Sequence, residues 1–136
     1  MSASVDVQCV PPDRNGAMWP HVEAMLTSAV RRTNLNRSSD IEASLSSGDA
    51  LLWVAWRDDK LLGAMTTELV LTDTSKVCVI SAIGGYDMDA WLPMLPRIEG
   101  YAIDEGCDLI RAVGRKGWQR VLRDYTVSNI VLEKRL

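Results

Sequence analysis

Between Leu51 and Ile83 three apolar runs follow one another with only short polar breaks between them, and this succession restricts the fold more than any other feature of the chain. Leu51-Leu52-Trp53-Val54-Ala55-Trp56 is the first run, Arg57-Asp58-Asp59-Lys60 a polar turn, and Leu61 to Leu71 a longer stretch rich in residues that suit a pleated surface. Thr72-Asp73-Thr74-Ser75 turns the chain again, and Val77 to Ile83 completes the set. Tight turns join neighbours that run in opposite directions, so this region predicts a three-strand antiparallel meander.

The flanking segments supply the remaining elements. Val5 to Val10 alternates with period two and stops at Pro11-Pro12, which predicts a strand. Trp19, Val22, Met25, Leu26, Ala29 and Val30 fall on one helical face ending at Arg31-Arg32, where cations suit the helix dipole. A short second helix is expected from the capping-box spacing of Ser39 and Glu42, with Ile41 and Leu45 facing one way and Gly48 as the stop. Trp91, Leu95, Ile98 and Ala102 predict a further helix up to Gly106; Leu109 to Val113 predicts a strand, Gly117 to Tyr125 a short helix, and Asn129 to Leu136 a final strand. The order β-α-α-β-β-β-α-β-α-β, without repeats or linker, predicts a single α+β domain over residues 1–136, built on a mixed, mostly antiparallel sheet with helices on both faces.

A net charge of −3 and a pI near 5.1 argue against direct nucleic-acid binding, which needs positive charge to displace counterions. The charge is uneven. Arg111, Arg115, Lys116, Arg120 and Arg123 have no acid among them, which reads either as a solvated basic face or as a local anion site. Cys9, Cys78 and Cys107 are odd in number and far apart, so neither a disulfide framework nor a metal site is expected. With no long apolar run, a soluble, cytoplasmic protein with no membrane association is the expectation.

Ser81-Ala82-Ile83-Gly84-Gly85-Tyr86-Asp87-Met88-Asp89-Ala90-Trp91 runs from the third strand of the meander towards the next helix. Two adjacent glycines ahead of a helix offer unobstructed backbone N–H groups that suit an anion, or they simply bend the chain. Asp87 and Asp89 would oppose a phosphate, and Asp89 stands where a helix N-cap goes and would itself satisfy those amides.

A meander leading through a glycine turn into a central helix, followed by strand, helix and strand, resembles the GNAT-type N-acetyltransferase fold over nearly the whole chain. In that family the strand before the central helix splays from its neighbour. Acetyl-coenzyme A lies in the gap, its pantetheine bonded to the splayed backbone and its pyrophosphate on the amides of a Gln/Arg-x-x-Gly-x-Gly/Ala loop. The resemblance implies Val77 to Ile83 as the splayed strand, Leu109 to Val113 opposite it, and Ile83 to Asp89 as the loop. Ser81, Ala82 and Ile83 would grip pantetheine, Gly84, Gly85 and Tyr86 would hold pyrophosphate, and Arg115 or Lys116 would attract the nucleotide phosphates. The loop departs from the family pattern, since its glycines are adjacent and no basic or amide residue leads them.

The family's proton donor to the leaving thiolate is a tyrosine late in the last helix, followed by a Gly-Phe pair. Alignment by residue type gives that role to Tyr125, whereas alignment by the apolar face puts Leu122 there; the Gly-Phe pair is absent, as is every phenylalanine. Family members place a carboxylate on the central strands, which implies Glu68 as the general base for the amine. Alternation groups Glu68 with Thr66 and Val70 and leaves Met65, Thr67 and Leu69 on the other face, and neither set is marked as the core side. His21, the only imidazole, reads as a surface residue of the first helix.

The reading implied is an acyl-CoA-dependent N-acyltransferase that moves acetyl from acetyl-CoA to an unidentified amine. Gly114-Arg115-Lys116-Gly117-Trp118 and the terminal Val131 to Leu136 also look like the tail of phage- and prophage-encoded acetyltransferase-like proteins. In those the fold persists in virion or assembly components, and exposed tryptophans with the Arg111 to Arg123 patch would contact another protein. Only 11 residues follow Tyr125 (136 minus 125), so a partner chain completing the sheet, as in a homo-oligomer, is a further expectation.

Overall fold

The three apolar runs pair edge to edge. In the computed structural model, which describes residues 5–86, 91–114 and 116–136, β1 spans Asp6–Cys9, β2 Ala50–Arg57, β3 Lys60–Leu71, β4 Lys76–Gly85 and β5 Leu109–Ala112. They lie in the order β1-β2-β3-β4-β5, with every pairing antiparallel except the parallel β4 and β5. The connection between those two contains a helix, as a parallel crossover requires. The β2–β3 turn has Asp58 in the left-handed region at φ 54°.

Helices α1 (Asn15–Thr33) and α2 (Ser38–Ser47) cover one face of the sheet and α3 (Met94–Asp104) the other. This two-sided burial explains why β2 reads as a continuous apolar run. Leu52 and Val54 join the core under α1 and α2, whereas Trp53 and Ala55 join the core under α3. The buried indole N–H of Trp53 donates to Thr67 Oγ1 at 3.0 Å, so that core leaves no donor of Trp53 unmet. Asn15 Nδ2 donates to the Leu45 carbonyl at 3.3 Å and ties the start of α1 to the end of α2.

Several boundaries differ from the sequence reading. α1 begins at Asn15, four residues before the expected Trp19. α2 begins at Ser38 with Arg37 as N-cap, because Asp40 Oδ2 accepts the Arg37 N–H at 3.3 Å in place of the Ser39–Glu42 box. Gly48 ends it at φ 85°, as expected. The helix expected over 117–125 is only a 3₁₀ turn, Lys116–Arg120. Leu122 is buried and Trp118, Val121 and Tyr125 are half-buried, so the stripe read from the sequence does dock, but a segment this short gains too few backbone hydrogen bonds to propagate a helix. Residues 129–136 form no strand. They lie beside no other strand, and without a ladder partner an extended segment has nothing to stabilise it.

The glycine pair lies inside β4 rather than in a turn after it, and each glycine serves a different layer. A Cβ on Gly84 would meet the Met25 carbonyl of α1 far inside contact distance, while a Cβ on Gly85 would lie 2.9 Å from the Leu62 carbonyl and 3.1 Å from the Trp91 ring. Gly84 thus lets α1 close on one face, and Gly85 lets Trp91 close on the other. Gly84→Ala is expected to lower the free energy of unfolding by about 1–3 kcal/mol because the obstacle is backbone. Gly100→Ala, in α3 with open space around it, should raise it by about 0.5–1 kcal/mol in the same urea titration.

Burial, reinforced by neighbouring Cys107, pushes the Cys78 thiol from about 9 up to about 11. Burial, then Glu105, likewise raises Tyr101 to about 12. Groups raised on folding hold their protons longer in the native state, so their stabilisation is complete below the unfolded values and fades as pH climbs through the folded ones. The urea midpoint is therefore expected to be insensitive to these groups below pH 9 and to fall between pH 9 and 12, less steeply over pH 9 to 11 in Cys78→Ala.

Candidate functional site

β4 has a neighbour along its whole length on one side only. Its pairing with β3 runs from Lys76 to Gly85, but its parallel pairing with β5 covers only Val77↔Leu109 through Ile80↔Ala112. Below that contact the two strands are pinned: the Lys76 N–H donates to Asp108 Oδ2 at 3.0 Å and the Asp108 N–H to the Lys76 carbonyl at 2.8 Å. Beyond Ile80 they part, and Ser81 to Gly85 present a backbone edge that β5 does not satisfy.

A β-bulge marks the parting. Thr67 pairs with Ile80 and Thr66 with Ala82, which leaves Ser81 as the extra residue. The insertion inverts the phase of the strand. Ile80 and Ile83 lie in the α3 core, whereas Ala82 lies in the core under α1 and α2. Ser81 Oγ is buried without a hydrogen-bond partner, an orphan at the mouth of the wedge.

A cavity of about 30 Å³ occupies the wedge, lined by Ser81, Ala82 and Ile83 of β4, by Ala29, Arg32 and Thr33 of α1, and by Val113 and Trp118 beyond β5. This is room for a water molecule or two. The side chain that narrows it is Trp118, whose ring lies directly on Gly114 and stands 5.7 Å from the Trp91 ring at an interplanar angle of 49°.

The residues expected from sequence are distributed unequally around this wedge. Ser81, Ala82 and Ile83 line it. Gly84 and Gly85 continue the unpaired edge but are enforced by packing, and Tyr86 is 76% exposed where the strand ends. Asp87, Asp89 and Arg115 lie outside the described residues, and Lys116 opens the 3₁₀ turn.

Glu68 is half-buried on β3, between Ala50 and Val79, and shares the α1 and α2 face with Ala64 and Thr66. It stands two residues along β3 from Thr66, the partner of Ala82, a displacement of about 7 Å. Val79 in turn pairs with Arg111, so Glu68 and Arg111 bracket one cross-strand row below the wedge. Glu68 does not line the cavity.

Tyr125 does not line it either. Its side chain packs against the α3 core, and its hydroxyl donates to Glu99 Oε2 of α3 at 2.8 Å. Burial, and then that hydrogen bond to a carboxylate, hold the phenol protonated far above its usual range. His21 is exposed, as expected. None of the five tryptophans is exposed, so the contact surface expected of an interaction protein is not built from them.

Trp118, Thr33, Arg32 and the Ser81 bulge were not legible as site features. The chain pattern marks Trp118 as one more apolar residue of a short helix, and nothing in the alternation of β4 announces an extra residue.

No family model matches the sequence, and no curated protein is detectably similar to it. Among the described residues no helix is long and apolar enough to cross a membrane. Solved structures are similar over nearly the full length. A transcriptional regulator from Bacillus halodurans C-125 superposes with a TM-score of 0.69 at 15% identity, covering 98% of this chain and 100% of that one. A predicted acetyltransferase with acetyl-CoA from Clostridium acetobutylicum gives 0.65 at 10% identity, covering 98% and 96%. An aminoglycoside N-acetyltransferase in complex with CoA gives 0.69 at 11% identity, covering 99% and 97%. The bulged, half-unzipped fourth strand, the two-sided covering of the sheet and these full-length superpositions agree that the chain has the fold of the GNAT-type N-acetyltransferases.

Proposed function

We propose that this chain is an acyl-CoA-dependent N-acyltransferase that transfers acetyl to an amine, with the wedge between β4 and β5 as the seat of the thioester arm. The observation that carries the reading is the parting of β4 from β5 after Ile80, with the extra residue Ser81 at the fork. A strand held on one side and bare on the other offers peptide groups to a ligand that itself carries amides. The orphan Ser81 hydroxyl adds one more donor where it is needed. Two of the structurally similar proteins hold acetyl-CoA or CoA, which supports the same reading.

Acetyl-CoA would supply an acetyl group activated as a thioester. The chain would supply position: Ser81, Ala82 and Ile83 align the arm along β4, and α1 walls it through Ala29 and Thr33. Fixing amine and thioester together contributes roughly 7–11 kcal/mol when geometry is good, which suffices for an enzyme with few chemical groups at its centre. Glu68 remains the carboxylate proposed to relieve the amine of its proton, acting from below the wedge rather than from its wall. Gly84 to Tyr86, with Arg115 or Lys116, remain the proposed phosphate contacts.

Calorimetric titration with acetyl-CoA tests the proposal. Wild-type protein is expected to bind, and Trp118→Ala to bind more tightly because no indole must be displaced from Gly114. Absence of heat and of any thermal shift at millimolar acetyl-CoA in both proteins would remove the transferase reading and leave the fold. Tyr125→Phe separates anchoring from acid catalysis. Loss of the bond to Glu99 should lower stability by about 1.5 kcal/mol. Turnover should change little, since a lost general acid costs on the order of 10²–10⁴ in rate and this hydroxyl is engaged on α3.

A further inference from the structure

The face of the sheet that carries α1 bears opposite charges on either side of one apolar residue. Glu68 of β3, Val79 of β4 and Arg111 of β5 form a single cross-strand row, in which Glu68 pairs with Val79 and Val79 with Arg111. Ile110 and Ala112 pack against the core under α3, so Arg111, which alternates with them, stands on the α1 side with Glu68. All three residues of the row are half-buried. Two strand spacings put the Cα atoms of Glu68 and Arg111 about 10 Å apart, with the short side chain of Val79 between them. The row is a shallow trough with a carboxylate on one bank and a guanidinium on the other.

The trough lies beside the wedge. Val113, two residues beyond Arg111, lines the wedge cavity, and so does Arg32 in the last turn of α1. A small molecule reaching from the trough towards the cavity therefore meets two arginines and one carboxylate. Guanidinium forks match carboxylates through paired N–H donors. On the transferase reading, on which this inference rests, the amine must come within reach both of Glu68 and of the thioester held along β4. We infer that the acceptor is an amine that also carries a carboxylate: its ammonium turns to Glu68, and its carboxylate to Arg111 and Arg32. Glu68 takes one proton, the freed amine attacks the thioester carbon, the C–N bond forms as the C–S bond breaks, and a second proton of the amine goes to the departing thiolate. The same two guanidiniums disfavour an amine with a further positive charge.

Thiol release from acetyl-CoA with 4-aminobutanoate, butylamine and 1,3-diaminopropane tests this, because the three end the same chain of methylenes in a carboxylate, a methyl group and an ammonium. The carboxylate is expected to raise kcat/KM over butylamine by about tenfold or more, the margin of a hydrogen bond to a charged group, and the ammonium to lower it. Arg111→Gln is expected to cut the ratio of 4-aminobutanoate to butylamine by about tenfold, and Arg111→Lys to restore part of it. An arginine with a structural role alone would lower both amines together and leave the ratio unchanged, which overturns the inference. Equal or better turnover of butylamine or the diamine overturns it too, while the transferase reading stands. Should no amine be acetylated, heteronuclear NMR decides: saturable shifts of the Val79 and Arg111 amides with 4-aminobutanoate, lost in Arg111→Gln, support the site, and their absence overturns it. Heat with acetyl-CoA alone then tells separately whether the transferase reading has failed.

Discussion

One strand of this protein is held asymmetrically, and most of what is distinctive about the fold follows from it. β3 grips β4 along its ten residues, from Lys76 to Gly85, with only Ser81 unpaired, while β5 grips it for four, from Val77 to Ile80. The reciprocal bonds between Lys76 and Asp108 set where the short grip begins. Ser81 sets where it ends, because an extra residue at that point breaks the register and turns the following side chains to the opposite faces. Remove the bulge and the strand beyond it would present its apolar residues to the wrong layers. The wedge is therefore tied to the packing of both cores.

The same end of β4 shows how one piece of sequence admits two readings. Glycines before a helix suggest an anion cradle, yet here Gly84 and Gly85 are needed whether or not anything binds. They make β4 thin enough for α1 and Trp91 to approach from opposite faces. A substitution at either glycine therefore disturbs the layers first, and its effect on a ligand cannot be separated from its effect on folding. Trp118→Ala, on the half-exposed side of the wedge, is the cleaner probe.

Much of the architecture was legible in the sequence because it rests on local chemistry. The meander declared itself through apolar runs broken by Asp-rich and Thr-rich turns, α1 through the spacing of Val22, Leu26 and Val30, and the end of α2 through Gly48. The last two elements were misread for a physical reason: an apolar pattern shows which side chains can dock, not which backbone hydrogen bonds form. Trp118 and Leu122 dock on the α3 core at helical spacing but in a segment too short to propagate a helix, and Ile130 to Leu132 is an apolar run without a strand beside it among the described residues. Likewise the alternation of β3 placed Glu68 with Thr66, but only the helices packed on the sheet reveal that this is the α1 side. Tyr125 was legible as a residue type in the right region; its commitment to Glu99, 26 positions away, was not.

The contact between Trp91 and Trp118 has a consequence of an optical kind. Two indoles with centroids 5.7 Å apart and planes tilted by 49° couple their electronic transitions, and Trp118→Ala separates that signal from the other aromatic pair, Trp53 with Tyr101 at 5.2 Å. Any event that parts the rings should abolish their exciton splitting and alter their emission. The wedge thus carries its own unlabelled reporter, built from the very side chain that guards it.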